Sequence, residues 1–273
     1  MEGLAFTKAV ASGNDFIIID NRDSKLSRLG YALPEIAKRL CRRNLAIGAD
    51  GLLLIERSKK GDFRMRIFNP DGSEAEMCGN GSRCAALYTV EERIAPKEMA
   101  IETKAGIVEA EVTGLRVKVR LTDPKGARFN ISLRIKNRDY KTHFINTGVP
   151  HAVVFYSGID KIDVLALGKR IRHHKRFGPK GTNVDFVKIR GPKEIKIRTY
   201  ERGVEAETYA CGTGAAASAV VSGAVYGLKP HIDVLTRSGE VLRVYFDMKN
   251  KSAKNVYLEG EANVVYRGEI RHV

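Results

Sequence analysis

Two cysteines occupy near-identical frames in opposite halves of the chain, Met77-Cys78-Gly79-Asn80-Gly81 and Ala210-Cys211-Gly212-Thr213-Gly214. A run of small and apolar residues follows each, over 82–90 and 215–225, and reads as a helix. A Cys-Gly-x-Gly turn at a helix start directs backbone N–H groups and the positive end of the helix dipole at one point. Such a point can hold a carboxylate and lower a thiol pKa together. Two turns of this kind acting on one carboxylate-bearing carbon would set a sulfur on either face of it. Inverting a stereocentre requires that arrangement: one face loses a proton and the other gains one.

The elements that must carry these turns are mostly strands. Short apolar runs punctuated by Gly, Asn and Asp predict strands over 16–19, 52–56, 63–68, 101–103, 107–112, 116–120, 143–146, 152–155, 185–189, 195–199, 232–235, 241–246 and 255–259. Helices are fewer: 34–43, with Pro in its first turn, the two that follow the cysteines, and 164–173. A weak internal repeat links the halves. The first reads Ala49-Asp50-Gly51-Leu52-Leu53-Leu54-Ile55, then Arg64-Met65-Arg66-Ile67-Phe68-Asn69, Glu74-Ala75-Glu76 and the Cys78 turn. The second reads Val184-Asp185-Phe186-Val187-Lys188-Ile189, then Lys196-Ile197-Arg198-Thr199-Tyr200-Glu201, Glu205-Ala206-Glu207 and the Cys211 turn. The expected fold is α+β, two similar lobes, each a mixed sheet around a central helix. The boundary is expected near 113–127, giving a lobe of 1–118 completed by 262–273 and a lobe of 119–261.

Composition narrows the function class. A chain of 273 residues can build one large or two ordinary domains. No apolar run approaches the roughly 18 residues of a membrane span, and the first residues carry no basic-then-apolar export pattern, so a cytoplasmic location is expected. Four cysteines in a chain this long do not make a disulfide scaffold. Cys41 and Cys84 read as structural. No metal site is expected, because no C-x-x-C occurs and His173-His174 has no partners at ligand spacing. The net charge of +15 is concentrated between Lys169 and Arg202. A nucleic-acid partner could explain it, but aromatics are sparse there and no binding motif accompanies the charge. A solvated, charge-rich surface is the reading preferred.

The ordered motifs resemble the diaminopimelate epimerase family nearly end to end. They run from Phe6-Thr7-Lys8 and Ser12-Gly13-Asn14-Asp15-Phe16 through Ile47-Gly48-Ala49-Asp50-Gly51 and Phe68-Asn69-Pro70-Asp71-Gly72-Ser73 to Cys78-Gly79-Asn80-Gly81-Ser82-Arg83-Cys84. Thr147-Gly148-Val149-Pro150-His151, Thr182-Asn183-Val184, Tyr200-Glu201-Arg202-Gly203 and Glu207-Thr208 lead into the Cys211 turn. The resemblance implies a homodimeric, cofactor-independent epimerase that interconverts LL- and meso-diaminopimelate for lysine synthesis by transferring the α-proton between two cysteines. It implies Cys78 and Cys211 as the acid–base pair, with His151 and Glu201 as the proton acceptors that activate the sulfurs. Without an electron sink such as pyridoxal, donors aimed at the carboxylate must stabilise the carbanion. Asn14, Asn80, Thr213 and the amides of Gly79 and Gly212 match that role. Asn69, Asn183 and Arg202 fall on the positions that grip the distal amino-acid head.

Two positions depart from the family pattern. Val149 stands where a Gly-Asn-Pro-His run would supply a side-chain amide, and Gly51 where Gln is often found. These differences keep a histidine- or proline-type racemase in view as the alternative enzyme. The proline racemase pattern has His where Asn80 stands and lacks the Gly-Asn-Asp-Phe opening.

Overall fold

Val108, Ala110 and Val112 are buried while the residues between them face solvent, the period of two that marks a half-buried strand. Eighteen strands and four α-helices occur among residues 3–271, which the computed structural model describes. They divide between two units, Met1–Val119 with Gly260–Val273, and Arg120–Glu259. No helix among the described residues is long and apolar enough to cross a membrane.

The first unit contains β1 (Leu4–Ala11), β2 (Asn14–Asp20), α1 (Leu33–Leu40), β3 (Gly51–Glu56), β4 (Phe63–Phe68), β5 (Glu74–Ala75), α2 (Gly79–Glu91), β6 (Glu98–Thr103), β7 (Gly106–Thr113) and β8 (Arg116–Arg120). Its pairing order is β1–β2–β3–β4–β6–β7–β8, with β5 added to β4. The pairs β2/β3 and β4/β6 are parallel and the others antiparallel. The second unit contains β9 (Lys125–Ile135), β10 (Arg138–Asn146), β11 (Pro150–Phe155), α3 (Val164–Arg172), β12 (Asn183–Gly191), β13 (Glu194–Glu201), β14 (Ala206–Thr208), α4 (Gly212–Tyr226), β15 (Ile232–Leu235), β16 (Val241–Lys249) and β17 (Ser252–Glu261). Its order is β9–β10–β11–β12–β13–β15–β16–β17, with β14 added to β13; β11/β12 and β13/β15 are parallel. The first unit matches this order strand for strand once β18 (Asn263–Ile270), antiparallel to β1, is placed at its edge.

A single helix lies inside each sheet. Positions 80–89 of α2 and 214–222 of α4 are buried without interruption. A helix enclosed on all sides must be small or apolar all round, and Ala85, Ala86, Ala215, Ala216, Ala217 and Ala219 meet that demand. The flanking helices are amphipathic. In the first unit Ile36, Ala37 and Leu40 of α1 join Ile17, Leu52 and Phe68; in the second Val164 and Ile171 of α3 join Val184, Phe186 and Tyr200.

Three details differ from the sequence reading. Both central helices begin at the glycine directly after the cysteine, three residues earlier than the apolar run suggests, because each cysteine is the N-cap. The long strand β9 lies where no strand was expected; six of its first eight residues are exposed, so it carries little apolar alternation. The repeat also has a different register. Leu52 pairs with Phe68 and Val184 with Tyr200, which makes Asp185 the counterpart of Leu53 rather than of Asp50.

Candidate active site

In the first unit Cys78 has extended backbone (φ −144°, ψ 119°), and its carbonyl accepts the Ser82 amide at 2.8 Å. Its Sγ accepts the Gly81 N–H at 3.5 Å, so the sulfur takes the place of the usual side-chain oxygen at a helix start. A polar chain stands behind this turn. The fully buried Arg83 donates to Asn80 Oδ1 (2.9 Å) and to the Ser12 hydroxyl (2.5 Å). Asn80 Nδ2 donates to Asn14 Oδ1 (2.8 Å), and Asn14 Nδ2 to Asp50 Oδ2 (3.1 Å). Arg43 bridges Asp50 and Asp15 at 2.7 and 2.6 Å. Burial pushes the Asp15 carboxyl up, but hydrogen bonds from Arg43 and Lys8 outweigh it and hold the group at about 2. Both asparagines are therefore oriented from behind. Asn69 sits apart from them in the turn after β4, where its side chain donates to Ser73 Oγ at 2.9 Å. At Gly51 the fit is tight: a Cβ would lie 3.2 Å from the Phe68 carbonyl and 3.3 Å from the Phe16 ring, so a longer residue requires these neighbours to give by a few tenths of an ångström.

In the second unit Cys211 repeats the N-cap, extended at φ −130°, ψ 110°, with its carbonyl accepting the Ala215 amide. Its Sγ lies 3.4 Å from Thr213 Oγ1, and Thr147 holds the Thr213 carbonyl at 3.1 Å. Burial pushes the Cys211 thiol well above its ordinary value, and the Glu201 and Asp185 carboxylates push it further; the Thr213 hydroxyl and Gly214 amide pull the other way. His151 is fully buried, with Nε2 3.0 Å from Thr213 Oγ1 and Nδ1 2.7 Å from Asp185 Oδ2. Asn183 accepts the Arg202 amide through Oδ1 (2.7 Å) and turns Nδ2 toward His151 Nε2 (3.4 Å). Glu201 accepts the Thr208 hydroxyl at 2.7 Å. The half-buried Arg202 guanidinium has no carboxylate partner among the described residues.

Cys211, Gly212, Thr213, His151, Asn183, Glu201 and Arg202 thus belong to the second unit, and Cys78, Gly79, Asn80, Asn14 and Asn69 to the first. Sequence reasoning missed Arg83, Asp185 and Thr199. Asp185 is fully buried and accepts the Thr199 hydroxyl at 2.8 Å. Its strand offers a signal in hindsight, a lone acid inside Val184-Asp185-Phe186-Val187. The sheet registers align His151, Asp185 and Thr199 with Phe16, Leu53 and Ile67. The glycine two residues after the helix's first glycine shows the same match. A Cβ on Gly81 would touch Leu53 and Ile67, whereas one on Gly214 would collide with the Asp185 carboxylate. Beneath one cysteine turn the packing is apolar; beneath the other it is a buried acid–imidazole pair.

No group of three or more His, Cys, Asp or Glu suited to a metal occurs among the described residues. Among known proteins, the family model described as diaminopimelate epimerase matches residues 6–125 and 143–265. The diaminopimelate epimerase of a Hydrogenobaculum strain is 44% identical over 98% of this chain and 99% of its own. That of Aquifex aeolicus is 45% identical, covering 98% of both chains. Among solved structures, a Bacillus anthracis phenazine biosynthesis protein of the PhzF family superposes with a TM-score of 0.73 at 18% identity, covering 99% of both chains. A probable proline racemase from Agrobacterium radiobacter gives 0.69 at 15%, over 98% of this chain and 92% of the other. These two show that the fold is shared.

Proposed function

Because the chain belongs to the diaminopimelate epimerase family, we propose that it inverts one α-carbon of diaminopimelate, converting the LL- and meso-forms into each other in lysine biosynthesis. The observation that carries this reading is the cysteine-capped central helix, present once in each unit. The two helix starts supply N–H donors for the α-carboxylate, and each brings one sulfur. An amino-acid α-proton is too weakly acidic for an unaided thiolate, so donors fixed in advance must stabilise the carbanion. Asn80 and Asn14, held by Arg83 and Asp50, are such donors, together with the backbone amides of Gly79, Gly212 and Thr213.

Cys211 is the sulfur that begins as thiol, because burial and two carboxylates favour its protonated form. Cys78 then begins as thiolate and removes the α-proton from one face while Cys211 protonates the other. Turnover leaves the charges exchanged, and the reverse reaction starts from that state. His151 and Glu201 accept protons from the sulfurs between turnovers. The unpaired Arg202 guanidinium suits the distal carboxylate, with bidentate geometry available to it, and Asn183 fixes the backbone that bears it. Asn69 serves the same head. The homodimer and the cytoplasmic location belong to the same reading; light scattering of the purified protein checks the first.

The test is incubation of reduced protein with LL-diaminopimelate in deuterated water without added cofactor. Meso product carrying deuterium at the inverted carbon is expected. Cys78→Ala and Cys211→Ala should abolish inversion, whereas Cys41→Ala and Cys84→Ala should keep most of it. Inversion of a mono-amino acid in preference to diaminopimelate would move the assignment to a racemase. Equal losses from all four variants would make the cysteines structural.

A further inference from the structure

Two contacts, one at each ring nitrogen, fix the tautomer of His151. Asp185 Oδ1 is occupied by the Thr199 hydroxyl, and Oδ2 lies 2.7 Å from His151 Nδ1. An ionised carboxylate only accepts, so Nδ1 carries the proton. Independently, the Asn183 oxygen is committed to the Arg202 amide, which leaves Nδ2 facing His151 Nε2. An amide nitrogen only donates, so Nε2 is the bare acceptor. That bare nitrogen lies 3.0 Å from Thr213 Oγ1, which is 3.4 Å from Cys211 Sγ.

We propose that Asp185 is a positioning residue for the epimerase reaction, holding His151 so that Nε2 takes the Cys211 proton through the Thr213 hydroxyl. The inference rests on the two-cysteine reading above. When Cys211 gives up its proton, the S–H bond breaks and a new O–H bond forms at Thr213. The original Thr213 proton passes to Nε2, the products are a thiolate and an imidazolium, and no net charge is created. The imidazolium faces the Asp185 carboxylate, which is fully buried and has no Lys or Arg ion pair among the described residues. Glu201 also acts on Cys211, and with Asp185 it disfavours the thiolate. A proton held on His151 offsets that disfavour. The first unit has Phe16, Leu53 and Ile67 at the matching positions, so it has no such pair of its own. This makes the device specific to the Cys211 turn.

The experiment pairs nitrogen-15 NMR of the imidazole with kinetics of Asp185→Asn, His151→Gln and the double variant. In the wild-type protein the His151 nitrogens should show a protonated Nδ1 and a bare Nε2. Asp185→Asn should lower kcat about 10²-fold, the size of a general acid–base contribution, and change KM less than about threefold. The value of kcat/KM should fall by the same factor in both directions, as a fixed equilibrium constant requires. In the His151→Gln background the Asp185→Asn change should add less than about twofold, because its effect passes through the imidazole. A wild-type imidazole protonated at Nε2, or losses that multiply in the double variant, would overturn the proposal. The NMR result does not depend on turnover. A wild-type enzyme that fails to exchange the α-proton would sink the two-cysteine reading while leaving the tautomer assignment standing or falling on its own spectrum.

Discussion

The side chains proposed for catalysis are held by others that never need to touch a substrate, and Asp15 shows the energetic weight of that support. It lies beside Asn14, accepts from Arg43 and Lys8, and is held at about 2 despite the burial that opposes it. Because the folded value lies below the ordinary 3.8, the stabilisation is present above about pH 4 and is lost as pH falls toward about 2. A depression of this size corresponds to roughly 2 kcal/mol. Asp15→Asn should therefore lower the urea midpoint at pH 7 and have almost no effect at pH 2, and parallel urea titrations at the two pH values measure it. An equal loss at both would assign the effect to packing. The sequence made Asn14, Asn80 and the cysteines legible because their chemistry is written in a local frame of a few residues. Asp185 and Arg83 were not legible, because their meaning depends on which strand and which helix face close around them. Burial turns an ordinary acid into a partner for His151 and an ordinary Arg into a support for Asn80.

At the scale of elements, a matched ion pair ties down the approach to each cysteine. Arg66 grips Glu74 through Nε and Nη2 at 2.7 and 3.1 Å, and Arg198 grips Glu207 in the same way at 2.6 and 2.8 Å. The sheet registers make these pairs equivalent: each joins the long strand β4 or β13 to the short β5 or β14 that leads into the turn. Their surroundings differ. Glu207 is 7% exposed and also receives Arg237, whereas Glu74 is 23% exposed. Removing one partner of a buried pair strands the other charge, so Glu207→Ala should cost about 3 kcal/mol. Glu74→Ala should cost about 1 kcal/mol. Chemical denaturation of the two variants gives the comparison; equal losses would mean that burial does not set the difference. The strand pattern of these segments was readable from alternation, and so was the repeat that contains them. The register of the repeat was not. Asp50 and Asp185 invite alignment as identical residues, yet hydrogen bonding in the sheet equates Asp185 with Leu53. Only pairing across strands carries that information.

On the scale of the whole molecule, the asymmetry lies in how each sheet obtains its first strand. The second unit takes β9 from the residues just before β10, while the first unit takes β18 from the far end of the chain. Seven residue pairs join β1 to β18, from Leu4 with Ile270 to Val10 with Asn263. Phe6 packs edge-on against Tyr266, and Gly268 lies under the same ring, where a Cβ would collide with it. Arg267 pairs with Glu91 and Glu92 at the end of α2. A chain shortened to end at Ala262 would leave β1 as an open edge above the helix that Cys78 caps, and open edges lose both protection and solubility. Hydrogen exchange read by mass spectrometry should show 4–10 and 79–91 losing protection in the shortened chain, while 183–201 and 212–226 keep theirs, because every strand that β12 and β13 pair with remains in place. Activity should fall with the first group of amides, since Asn80 and Asn14 belong to one polar chain behind the Cys78 turn, and its Ser12 end lies just beyond β1. Protection lost to the same degree in both groups would show that the two units unfold as one, and unchanged protection throughout would show that the last strand contributes no stability to the sheet it completes.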